Sequence, residues 1–132
     1  MVIDTSAVLA VLFDEPEADA FGALFERERV KRMSVANFVE AQIRLIRLPT
    51  PMPRRLMERL LESAEIALEP VSETQAHLAI EAYRDYGRGR HPAGLNFGDC
   101  FAYALAKDKG EPLLFKGDDF ARTDVEPALR PE

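Results

Sequence analysis

The sequence predicts an α/β protein, a three-layer α/β/α sandwich built on a central parallel sheet. Three observations predict it. Val2-Ile3, Ile66-Ala67-Leu68 and Leu113-Leu114-Phe115 are short apolar runs of strand length. Segments with helical apolar spacing separate them, and strands alternating with helices call for a parallel sheet with helices on its faces. The chain has 132 residues, 47% of them hydrophobic, which suits one domain spanning 1–132 with enough apolar material to fill its core.

Val2-Ile3 reads as a buried strand ending at Asp4, followed by a helix from about Ser6 to Phe13. Pro16 fits the first turn of a second helix, with Phe21, Leu24 and Phe25 on one face. Lys31-Arg32-Met33 is a strand candidate. Ser34 then suits the N-cap of a helix whose apolar residues are Phe38, Val39, Ile43 and Ile46. Pro49 to Pro53 is a connection inside the domain. Arg54 to Ser63 reads as a helix with Leu56, Leu60 and Leu61 inward, and Ile66-Ala67-Leu68 as a strand closed by Pro70. Glu73 to Tyr86 is helical, with Ala76, Leu78, Ala79, Ile80 and Tyr83 as its apolar surface. Gly87 to Gly94 is a loop. Asn96 opens a helix that runs to about Lys107 and stops at Gly110. Leu113 to Phe115 is the last strand, followed by a turn at Gly117.

The charge balance narrows the function. Lys+Arg number 17 against 23 Asp+Glu, for a net charge of −6. Such a chain cannot hold nucleic acid by bulk attraction and would need a local basic patch or a bound cation. One cysteine, Cys100, allows no internal disulfide, which fits a reducing compartment. The apolar stretch from Ala7 to Phe13 is too short to span a bilayer, and no basic leader precedes it. A cytoplasmic protein with no membrane association is therefore expected.

Parallel sheets bind ligands beyond the carboxyl ends of their strands. Asp4 stands there after the first strand, and Asp118 and Asp119 after the last. Glu40 and Asp99 join them as candidates. Each has an ordinary use. Asp4 can cap a helix, and Glu40 can pair with Arg44 one helical turn on. Asp99, three residues after Asn96, completes a capping-box variant, and aspartate is common in turns such as 117–119. Gathered together, however, three or four carboxylates repel unless something positive sits among them. Mg²⁺ or Mn²⁺ prefers oxygen ligands, and such a centre suits water attack on a phosphodiester. Thr5 and Ser6 would supply hydroxyls to hold a water on the metal.

The opening Val2-Ile3-Asp4-Thr5-Ser6-Ala7, the helix of Glu40, the run Ala93-Gly94-Leu95-Asn96-Phe97-Gly98-Asp99-Cys100-Phe101-Ala102-Tyr103-Ala104-Leu105-Ala106 and the stretch Leu113-Leu114-Phe115-Lys116-Gly117-Asp118-Asp119-Phe120 together resemble a PIN-domain ribonuclease of the VapC toxin family. The likeness runs in order over essentially the whole chain, and Asn-Phe-Gly-Asp-Cys is its most specific part. The resemblance implies a PIN-like fold and Mg²⁺- or Mn²⁺-dependent endonucleolytic cleavage of RNA. It also implies a homodimer and a VapB-type antitoxin partner. Carried over, Asp4 and Asp99 would be the main metal ligands, with Glu40 completing the acidic triad. The fourth acid would be Asp118, with Asp119 as the alternative, because this chain has Gly117 where many relatives place an aspartate. Ser6 and Asn96 would support the site.

Arg88, Arg90 and His91 precede the Asp99 helix and could guide a phosphate or contact RNA, although a loop of arginines is more often a solvated surface. Arg44, Arg47, Arg54 and Arg55 invite the solvated reading more strongly. Cys100 reads as a small buried hydrophobe rather than a nucleophile, and His77 as a surface residue. Tyr83, Tyr86 and Phe101 belong to a core or an interface. One cysteine and two distant histidines make no zinc site. The rival reading is a catalytically degenerate module that only binds RNA or an antitoxin. A haloacid-dehalogenase-like phosphohydrolase would want an aspartate where Ser6 stands. A receiver domain would end its middle strand in an aspartate, where this chain has Glu69-Pro70.

Overall fold

The computed structural model describes residues 1–130. The elements are β1 (Val2–Ile3), α1 (Thr5–Leu12), α2 (Ala18–Arg27), β2 (Lys31–Ser34), α3 (Val35–Ile46), α4 (Arg54–Ser63), β3 (Ile66–Glu69), α5 (Glu73–Tyr86), α6 (Phe97–Lys109) and β4 (Leu113–Leu114), then a short 3-10 turn at Phe120–Arg122. The four strands lie in the order β3-β2-β1-β4, and every pairing is parallel. The expected α/β architecture is present.

Two-residue strands suffice because each one feeds both cores. Ile3 and Leu114 point into a cluster with Val8, Phe21, Met33, Leu45 and Met57. Val2 and Leu113 point the other way, among Ala82, Leu95, Ala102 and Leu105. Period-two alternation therefore reads as unbroken apolar sequence, as expected for a sheet covered on both faces. The outer edge of β4 is closed by the chain's last turn: the Leu113 N–H donates to the Glu126 carbonyl at 2.8 Å and the Ala128 N–H to the Leu113 carbonyl at 2.8 Å.

The chain moves outward from β1 through β2 to β3, then returns to the far side of β1 as β4. The strand order thus reverses at β1, and the crevice beyond the carboxyl ends of β1 and β4 is the switch point where such sheets carry ligands.

Helix starts follow the sequence closely. Ser34 caps α3, Ser72 caps α5, and Asn96 with Asp99 forms a full capping box on α6. Gly110 ends α6 in the left-handed region at φ 64°, where a side chain would be strained. The helix starting near Pro16 begins two residues later, at Ala18.

Helix faces depart from expectation. On α3 the inward stripe is Asn37, Ala41 and Leu45, whereas Val39, Ile43 and Ile46 are 53%, 47% and 65% exposed. On α5, Ala79 and Ala82 face inward while Ile80 and Tyr83 are exposed. On α4, Met57 and Leu61 are buried, and Leu56 and Leu60 only half so. Two stripes at helical spacing compete on α3 and α5, and small side chains win because they let the helices approach closely. The larger apolar residues are left outside.

Candidate active site

Asp4 leaves β1 and caps α1. Its Oδ2 accepts from the Ser6 amide at 3.0 Å and from the Ser6 hydroxyl at 2.6 Å. Its Oδ1 is buried and has no partner among the described residues. Burial, only partly offset by the Ser6 hydrogen bonds, lifts the carboxyl from its ordinary 3.8 to about 7, and the charges of Asp99 and Glu40 push the same way.

Asp99 sits in the first turn of α6. Its Oδ2 accepts from the Asn96 amide at 3.0 Å, and its own amide donates to Asn96 Oδ1 at 2.9 Å. Burial raises this carboxyl to about 6, with Glu40 and Asp119 adding repulsion, while the Asn96 amide and Arg88 act against the rise. Glu40 comes from α3. Its Oε1 accepts from the Thr5 hydroxyl at 2.5 Å and from Asn37 Nδ2 at 3.3 Å. Its Oε2 lies against the backbone of Gly98, where an added Cβ would come within 1.9 Å.

Asp4 at the start of α1, Glu40 on α3 and Asp99 in the first turn of α6 thus lie close enough to act on one another, and each has one oxygen held by the protein. The helix-capping uses of Asp4 and Asp99 and a role in the pocket coexist, because capping occupies one oxygen only. Glu40 makes no ion pair with Arg44 among the described residues. Thr5 and Ser6, expected to hold a water on the metal, donate to Glu40 and Asp4. The Ser6 oxygen also accepts from the Lys116 amide at 2.9 Å, tying Asp4 to the loop after β4.

Among the described residues no three acid, histidine or cysteine side chains already stand at metal-ligand spacing. The donor chemistry still fits a hard divalent cation. Asp4 Oδ1 is a buried carboxylate oxygen with no partner among the described residues, and neighbouring acids add to the rise of the Asp4 and Asp99 carboxyls, which a cation would relieve. Asp4, Asp99 and Glu40 would hold it.

Other expected residues divide. Of the two candidates for a fourth acid, Asp118 and Asp119, Asp119 adds to the repulsion at Asp99. Both side chains are exposed in the turn after Gly117. Arg88 acts on Asp99, but Arg90 donates back to the Arg84 carbonyl at 3.1 Å. The His91 Nδ1 accepts from the Ala93 amide, and its ring packs edge-on against Tyr86. Of that trio, Arg88 is the one that acts on Asp99. Lys116 pairs with Glu15 and Glu17, not with the pocket. Cys100 is buried, its thiol pushed up to about 11 by burial and by Asp99. Two contacts escaped the sequence reading: that of Asn37, a polar residue on the inward stripe of α3, and that of Gly98, a glycine inside a helix, with Glu40. A polar residue at a core position and a helix-weakening glycine were the available signals.

A parallel sheet with this strand order and an acid cluster at its switch point defines a class, and sequence comparison agrees. The profile described as PIN domain matches residues 1–126, and the chain belongs to that family. Its relatives are more particular. It is 50% identical over 130 residues to Ribonuclease VapC28 of Mycobacterium tuberculosis, covering 98% of each chain. Among solved structures it resembles Mycobacterium tuberculosis VapC20, a Sarcin-Ricin loop cleaving toxin, with a TM-score of 0.75, 16% identity and 98% of both chains covered. It also resembles a toxin–antitoxin complex from Klebsiella pneumoniae, with a TM-score of 0.68 and 17% identity, covering 93% of this chain and 92% of that one. At those identities the two structures speak for the fold. The full-length match places the chain among the VapC ribonucleases.

Proposed function

We propose that this chain is a divalent-metal-dependent endoribonuclease acting as the toxin of a toxin–antitoxin pair. One observation carries the chemistry: Asp4, Glu40 and Asp99 lie close enough to act on one another, each carboxylate has one oxygen tethered, and among the described residues none of them forms a salt bridge. Mg²⁺ or Mn²⁺ bound there would polarise the attacking water and offset charge on the phosphate. The chain's own contribution is orientation. Ser6 fixes Asp4, the Asn96 capping box fixes Asp99, and Thr5 and Asn37 fix Glu40. Arg88, beside Asp99, is placed to meet the substrate phosphate in an otherwise acidic molecule.

The full-length likeness to VapC ribonucleases supports an antitoxin partner. Exposed Val39, Ile43 and Phe97 lie beside Glu40 and give such a partner apolar ground next to the acids. Exposed Ile80 and Tyr83 could serve a homodimer. No described helix is long and apolar enough to cross a membrane.

The test is RNA cleavage by native protein, Asp4→Asn and Asp99→Asn with Mn²⁺ and with chelator. Asparagine can still accept the capping hydrogen bonds at both positions, so the helices keep their starts. Each variant should lose about 10²–10⁴-fold in rate, the scale of removing a group that acts on the reacting water. A native protein that binds RNA or an antitoxin but cuts nothing would replace the enzyme with a binding module.

A further inference from the structure

We propose that Asn37 is a positioning residue that clamps the Glu40 carboxylate onto the backbone of Gly98 and so sets the acid of α3 against the acid of α6; the proposal rests on the ribonuclease reading above. Asn37 is fully buried one turn before Glu40. Its Nδ2 donates to the Gly98 carbonyl at 2.9 Å and to Glu40 Oε1 at 3.3 Å. Both neighbours are acceptors, so only the NH₂ end can face them and the amide orientation is determined. The other end, Oδ1, is buried with no partner among the described residues.

That arrangement is poor as mere packing. Burying an amide with one end unpaired is costly, and an aliphatic side chain of similar size would fill the same space without the cost. The position gains meaning from what the NH₂ holds. Glu40 would otherwise be free to swing on its side chain. Asn37 and the Thr5 hydroxyl confine Oε1, and the absence of a side chain at Gly98 makes room for Oε2. Gly98 immediately precedes Asp99, so a carboxylate seated there has a set distance to the next acid.

The experiment compares native protein with Asn37→Leu, Asn37→Ala, Glu40→Ala and the Asn37→Leu/Glu40→Ala double variant. The readouts are Mn²⁺ affinity by calorimetry, the rate of RNA cleavage and the melting temperature. Leucine keeps the volume and removes the donor. The clamp predicts that Asn37→Leu weakens Mn²⁺ binding and slows cleavage by about 10–100-fold, the scale of losing an outer-shell partner. It also predicts no further loss when Asn37→Leu is added to Glu40→Ala, because the two residues act as one unit. Native-like ion affinity and rate in Asn37→Leu, or losses that multiply in the double variant, would overturn it.

Gly98→Ala provides a second arm should the Asn37 variants fold poorly. It should lower the melting temperature and weaken Mn²⁺ binding, and Glu40→Ala should restore the melting temperature by removing the atoms the new methyl strikes. Failure of that restoration would show that the carboxylate is not seated on Gly98. A native protein without RNA cleavage would defeat the ribonuclease reading alone, since ion affinity and melting still decide the clamp.

Discussion

Around Arg32 two glutamates share one guanidinium; around Asp4 three acids form no salt bridge among the described residues. Arg32, on β2, donates to Glu111 Oε2 at 2.8 Å and bridges to Glu69 Oε1 at 2.7 Å. Burial would push the Glu111 carboxyl up, but hydrogen bonds from the Met1 amino group and Arg32 hold it below the usual range. Asp4 and Asp99 stand well above theirs. The same chemical group is thus settled in one region and frustrated in the other. A carboxylate that only supports the fold is supplied with its cation by the chain, whereas on the proposed function the switch-point acids take theirs from outside.

Neutralising a member of each set should move stability in opposite directions. At pH 8 in chelator, Asp4→Asn should melt higher than native by about 3–10 °C, because it removes a buried charge and keeps the helix cap. Arg32→Leu should cost roughly 1–2 kcal/mol, a figure held down by the partial exposure of the pair. Thermal melts of the two variants side by side check this. An Asp4→Asn protein less stable than native without metal would erase the contrast.

The pH dependence sharpens it. A carboxyl whose pKa is raised on folding keeps a proton that the unfolded chain releases, so stability falls as pH climbs. For Asp4 and Asp99 that decline should run from about pH 4 to pH 7 in chelator, and Mn²⁺ should flatten it. Glu111 works the other way: its contribution is present above its ordinary 4.5 and is lost as pH falls through its lowered value. Melting temperatures across pH 4 to 8, with and without Mn²⁺, should separate the two regions.

Smaller effects follow in the pocket. Ser6→Ala breaks the link between Asp4 and the Lys116 amide, and should cost ~1 kcal/mol of stability and about 10-fold in Mn²⁺ affinity, by melting and calorimetry. Smallest of all, Asp119→Asn should alter cleavage a few-fold and Asp118→Asn less, because Asp119 adds to the repulsion at Asp99. A larger effect at Asp118 would make that residue the fourth acid.

Much of this was legible in the sequence. Val2-Ile3 and Leu113-Leu114 announced buried strands, Ser34 and Asn96 announced helix starts, and Asp4 and Asp99 could be picked out by their places relative to strand and helix ends. These are local facts, decided by neighbouring residues and backbone geometry. The outward turn of Val39 and Ile43 was not legible, since two apolar stripes with the same spacing stand on one helix and only a neighbouring helix chooses between them. Nor was the use of Thr5, because a hydroxyl next to one acid gives no sign that it will bond to another 35 residues away.

The order of apolar and polar residues alone determined the layers, the strands and the acids at their ends, because hydrophobic periodicity and helix capping are settled within a few residues of chain. Tertiary structure alone decided that Asn37 and Gly98 would meet at Glu40, and that Asp119 would act on Asp99. Coulomb forces and hydrogen bonds act over ångströms of space whatever the separation along the chain, so such juxtapositions exist only once the helices have packed.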